Sequence, residues 1–140
     1  MLRSRFRIEL GVEPCKMEYP VVSYLREGTD EVVVQVASIG FWQYEVLGAV
    51  RVLVEYALVR AAGVEVSEAE DFEIRYEAER EMCVHGAWED SGDDIGAPHR
   101  VQHCAAVAVE RLMAAMMGVS WRQYQDALAE VSDREVRERD

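Results

Sequence analysis

The stretch GFWQYEVLGAVRVLVEYALVRAAG, residues 40–63, decides the fold. At about 100° per residue, Val46, Leu47, Val50, Leu53, Val54, Ala57, Leu58 and Ala61 fall on one broad face of a helix, and Glu45, Gly48, Arg51, Glu55 and Arg60 on the other. This predicts a long helix laid on a sheet by its apolar stripe and ended by Gly63 at the C-cap. Val52, Tyr56 and Val59 fall toward the polar side. That surplus predicts a second contact, with another helix or another subunit.

N-terminal to Gly40 the period changes from 3.6 to two. Phe6, Ile8 and Leu10 alternate with Arg5, Arg7 and Glu9, as in a strand with one apolar and one charged face. Runs 19–25 and 31–39 are rich in Val and Tyr. The polar link Arg26-Glu27-Gly28-Thr29-Asp30 predicts a hairpin between them.

C-terminal to Gly63 the signals conflict. Ser67 and Glu70 have capping-box spacing, which favours a helix, whereas Phe72, Ile74, Tyr76 and Ala78 alternate with Glu73, Arg75, Glu77 and Glu79. The alternation predicts a fourth strand over 71–79, whose outward row Glu73, Arg75 and Glu77 would face Arg3, Arg5 and Arg7 of the first strand. Residues 86–98 read as an acidic, glycine-rich loop. Pro98 opens the next helix, with Val101, Cys104, Ala105, Ala108, Val109, Leu112 and Met116 toward the core and Gly118 as terminator. Ser120 caps a last helix with apolar edge Trp121, Tyr124, Leu128 and Val131. The expected architecture is α+β: a small, mostly antiparallel sheet of three N-terminal strands and one later strand, covered by about three helices, with residues 1–140 as one domain.

Composition narrows the function classes. A formal charge of -12 with lysine only at Lys16 repels phosphate backbones, so nucleic acid is not an expected partner. Charges at Glu45, Arg51, Glu55 and Arg60 break the most apolar stretch, whereas a membrane span needs about 20 nearly uncharged residues. Residues 1–10 contain no continuous apolar run of signal-peptide type, which predicts a cytoplasmic protein. Cys15, Cys83 and Cys104 form no C-x-x-C pair and are expected as reduced, core-filling thiols. No phosphate-binding glycine loop and no G-x-S-x-G elbow is present.

All three histidines, His85, His99 and His103, lie close in sequence around the acidic loop that holds Trp88, Glu89, Asp90, Asp93 and Asp94. His99 and His103 are spaced i, i+4, one turn apart on a helix, which is how a helix offers two nitrogens to a borderline metal ion. The candidate ligand-binding or metal set is therefore His85, His99, His103, Asp93, Asp94 and Trp88, with Cys83 as a further ligand. No catalytic residue and no cofactor is assigned. On the expected wheel this face, which includes Glu110, points away from the core.

Val52, Tyr56, Val59, Met117 and Trp121 are the candidate partner interface of a homodimer. The leading expectation is a non-catalytic, self-associating module that holds a small ligand or protein partner between sheet and helices. One alternative is a small metal-dependent or hydrolytic enzyme using the histidines and the acidic loop. The other is a DNA-binding regulator, because residues 114–128 resemble the turn of a helix-turn-helix reader; Asp126 and Glu130 oppose the charge such a reader needs.

Overall fold

Val32, Val33, Val34 and Val36 are β-branched and favour extended backbone where both faces of a sheet are covered. In the computed structural model, which describes residues 5–17, 19–85 and 90–139, they form β3 (Glu31–Ala37), the central strand of the order β1-β3-β2. All four, with Ala37, are buried. β2 (Val21–Leu25) pairs antiparallel with β3, Val21 opposite Val36 and Leu25 opposite Val32. The expected hairpin turns at Gly28, whose φ of 74° is open to glycine, and Thr29 Oγ1 donates to the Arg26 carbonyl at 2.8 Å.

β1 (Arg5–Val12) lies on the other side of β3 and runs parallel to it, with Phe6 opposite Val32 and Ile8 opposite Val34. The fold is α+β, with a mixed sheet of three strands and four helices among the described residues, not a mostly antiparallel sheet of four strands under about three helices. The helices are α1 (Trp42–Ala61), α2 (Val66–Glu81), α3 (Arg100–Met116) and α4 (Trp121–Arg139).

Residues 71–79, expected as a strand, belong to α2. The run is rich in Glu, Arg and Ala, strong helix formers, and its apparent alternation comes from two residues that face solvent: Phe72 and Tyr76 are i, i+4 and buried, while Ile74 is 70% exposed and Ala78 is exposed. The expected pairing of this row with Arg5 and Arg7 is therefore replaced by β3, with Glu31 opposite Arg5 and Val33 opposite Arg7; Arg3 lies outside the described residues. Ser67 does not cap α2, whose N-cap position is Glu65, without a side-chain cap bond.

The chain divides into two compact units, one of Met1–Leu53 with Val109–Asp140, the other of Val54–Ala108. In the first, Val34, Val36, Ala37 and Ile39 of the sheet region meet Ala49 and Val131. Leu47, Ala114 and Tyr124 form a second cluster there. Gly48 lets α1 approach the sheet, since a Cβ on it would lie 2.9 Å from Val21 Cγ2. In the second unit, Phe72 and Tyr76 of α2 pack with Ala97.

The helix faces are the main surprise. On α3 the residues expected in the core are at the surface: Val101 is 74%, Leu112 62% and Met116 80% exposed. The face expected to avoid the core is buried, with His103, Ala106, Glu110 and Ala114 all nearly inaccessible. On α1, Gly48 and Val59 are buried and Glu55 is mostly covered, whereas Ala57 and Leu58 are exposed. A hydrophobic wheel fixes the phase of a helix, but which side turns inward is set by pairing as well as by area, and here paired polar groups take the inner side. The three cysteines are free, as expected, but exposed and not core-filling. No single helix among the described residues is long and apolar enough to cross a membrane.

Candidate functional site

The second unit brings four carboxylates to two buried imidazoles. His99 is the residue just before α3, and its carbonyl accepts the first-turn bond from His103 N at 2.9 Å, so the i, i+4 spacing places both rings on one side of the helix start. Their centroids are 6.4 Å apart in an edge-on arrangement. Side-chain exposure is 2% for His99 and 4% for His103.

Three further elements supply the acids. Glu55 of α1 reaches both rings, with Oε2 3.3 Å from His103 Nδ1 and Oε1 3.8 Å from His99 Nε2. Glu73 of α2 places Oε1 3.4 Å from His99 Nε2. The 3-10 turn Ser91–Asp93 and its N-cap Asp90 complete the set. Asp90 Oδ2 lies 3.2 Å and Asp93 Oδ1 3.9 Å from His103 Nε2.

The turn is held in place by its own chemistry. Asp90 Oδ1 accepts from Gly92 N at 2.9 Å, the hydrogen bond by which aspartate initiates such turns. Arg100 Nε donates to the Asp93 carbonyl at 3.0 Å, tying the turn to the first residue of α3. Gly92 has no substitute: a Cβ there would sit 2.4 Å from His103 Cγ, so the backbone of the turn lies directly on the imidazole.

Burial alone would lower the affinity of His103 for its second proton. Hydrogen bonds to Asp90 and Glu55, reinforced by their charges, outweigh that and push its pKa up to about 10. At neutral pH His103 is thus an imidazolium, with Nδ1–H toward Glu55 and Nε2–H toward Asp90. His99 is buried, and neither of its ring nitrogens has a hydrogen-bond partner among the described residues.

One ligand atom each from Asp90, Asp93 and His103 lie within 4.8 Å of one another, a spacing that can hold a metal ion. Bonds of about 2.1 Å place tetrahedral ligands about 3.4 Å apart, close to the observed separations. Were an ion held there, Glu55 on Nδ1 would be the outer partner that fixes the tautomer of His103 and leaves its Nε2 lone pair to the ion.

Of the residues singled out from sequence, His99, His103 and Asp93 converge here. Asp94 turns aside and accepts from Gly96 N at 2.8 Å. His85 stacks on Tyr76 with centroids 3.8 Å apart, and its Nε2 lies 2.7 Å from Glu79 Oε2, so it belongs to the α2 surface and not to the cluster. Cys83 is exposed, with a φ of 62° that is rare outside glycine. Trp88 and Glu89 lie outside the described residues.

Of the expected interface, Val52 packs on the core of the first unit, Met117 and Trp121 pack around Leu47 and Tyr124, and Val59 is buried. Tyr56 is partly covered. Sequence reasoning missed Glu55 and Glu73. The available signal for Glu55 was a carboxylate inside the most apolar stretch of the chain, where charge is costly unless paired.

A separate polar group is buried in the first unit. Tyr124, fully inaccessible, places its hydroxyl 2.6 Å from Glu110 Oε2, and Arg51 Nε lies 3.5 Å from the same oxygen. Burial, then the Glu110 charge, raises the Tyr124 pKa far above the ordinary phenol range, so it stays a hydrogen-bond donor. Comparison with protein-family models, with curated proteins and with solved structures finds no match to this chain.

Proposed function

We infer that the second unit binds a divalent transition-metal ion through His103 Nε2, Asp90 and Asp93, as the core of a metal-dependent hydrolytic site. The observation that carries this reading is His103 itself, with one nitrogen on a carboxylate of α1 and the other aimed between two carboxylates of the turn. A single imidazole with two carboxylates suits Zn²⁺, Mn²⁺ or Fe²⁺, and a three-residue set leaves positions for water, as catalytic sites require. His99, buried beside the set with no hydrogen-bond partner among the described residues and flanked by Glu73 and Glu55, would be the group to take a proton from a water held there.

A second reading is favoured by the high proton affinity of His103: a structural clamp in which the imidazolium joins α1 to the acidic turn, with no ion involved. Metal analysis of protein purified without chelator, followed by melting with added Zn²⁺, Mn²⁺ and Ni²⁺, separates the two. The metal reading expects bound metal, or a melting temperature that rises with ion concentration and stops rising in Asp90→Asn and Asp93→Asn variants. A melting temperature indifferent to all three ions leaves the clamp.

A further inference from the structure

The outer edge of β1 faces no other strand among the described residues, because β1 is terminal in the order β1-β3-β2. Arg5 N donates to the Asp30 carbonyl, so Arg5, Arg7 and Glu9 direct their backbone groups toward β3. Alternation along a strand then directs the N–H and C=O of Ile8 outward. Ile8 is 48% and Leu10 43% exposed, an apolar row on an open strand edge, which is a template for pairing.

We propose that this edge pairs antiparallel with β1 of a second copy about a two-fold axis at Ile8, joining two sheets into one of six strands. Charge selects the copy and the register. With Ile8 on the axis, Arg7 stands opposite Glu9 of the second copy and Glu9 opposite its Arg7, while Phe6 stands opposite Leu10. An axis at Arg7 or at Glu9 would set like charges face to face, and an axis at Phe6 would set Arg5 against Arg7. Of the axes at Phe6, Arg7, Ile8 and Glu9, only the one at Ile8 opposes Arg7 with Glu9 and sets no like charges face to face; Arg5 then falls opposite Gly11. In that register Ile8 forms the hydrogen-bonded pair, which makes Arg7 and Glu9 the non-hydrogen-bonded pair, where side chains approach most closely. The row Phe6, Ile8, Leu10 becomes continuous with its mate across the axis. The ladder ends where β1 slips its register between Glu9 and Val12, at Gly11 with φ 69°.

The test is sedimentation or light scattering of the full chain across a concentration series. Wild type is expected to dimerise in a concentration-dependent manner. Arg7→Glu or Glu9→Arg alone replaces two attractive pairs by two repulsive ones and weakens the dimer by about tenfold or more, and the double swap restores it. Ile8→Pro removes an outward N–H that β3 does not use, so the protomer keeps its circular dichroism spectrum while the dimer is lost. A protein monomeric at all concentrations, a double swap no better than the single ones, or a dimer that survives Ile8→Pro in a folded protomer overturns the proposal.

Discussion

Glu55 Oε2 and His103 Nδ1 lie 3.3 Å apart although 48 residues separate them in sequence. This contact orients the imidazole so that Nε2 points at Asp90 and Asp93. Glu55→Gln keeps the volume and removes the charge. Outer partners of this kind are worth about 10- to 100-fold in metal affinity, and a Zn²⁺ titration by calorimetry is expected to show a loss in that range. His103→Gln, which removes the nitrogen proposed to bind the ion, is expected to lose more.

The raised pKa of His103 makes the stability of the protein depend on pH. Below pH 6.5 the residue is protonated in both folded and unfolded chains, and its contribution is fully present. Between 6.5 and about 10 the unfolded chain releases the proton while the folded one, facing Glu55, Asp90, Asp93 and His99, retains it, so the contribution falls steadily and is gone above about 10. Denaturant midpoints across this window are expected to decline in wild type and to decline less in His103→Gln. An imidazole resonance of His103 that titrates near 6.5 would contradict the assignment.

Gly92→Ala tests the contact of the turn with His103. With Cβ at 2.4 Å from ring carbon, either the turn or the helix start must move. Overpacking of this kind costs about 1–3 kcal/mol, and thermal melting is expected to show a loss of that size together with weaker metal binding.

Tyr124→Phe removes one oxygen and leaves Glu110 buried beside Arg51 without the 2.6 Å hydrogen bond from the phenol. Loss of a partner for a buried charged group costs about 1–3 kcal/mol or more, so a clear drop in unfolding free energy is expected, with metal binding by the other unit retained.

Phe72→Ala and Ile74→Glu distinguish helix from strand at α2. In the helix Phe72 is buried and Ile74 is 70% exposed, so the first is expected to cost about 3 kcal/mol and the second within about 0.5 kcal/mol. Equal losses from both would restore the alternating strand.

The three N-terminal strands, the hairpin and the glycine-terminated helices are legible in the sequence because each has a local cause: β-branched runs, a turn with glycine at positive φ, and Gly63 and Gly118 beyond helix ends at φ 73° and 70°. The parallel pairing of β1 is not, since no local signal distinguishes the two directions for an edge strand. Spacing identifies His99 and His103 but not their burial, because the apolar row Val101, Leu112, Met116 competes for the inner side of the same helix. Glu55 and Glu73 come from two other helices, and only folding brings them to the imidazoles.

Asp90, Asp93, His99 and His103 all come from one short stretch at the entrance to α3, while Glu55 must arrive from α1. Closing the short loop costs little chain entropy, and bringing in the distant carboxylate costs more. Assembly is therefore expected in two kinetic steps, a nascent turn-and-helix nucleus first and capture by α1 second, so that truncating the Glu55 side chain accelerates unfolding more than it slows refolding.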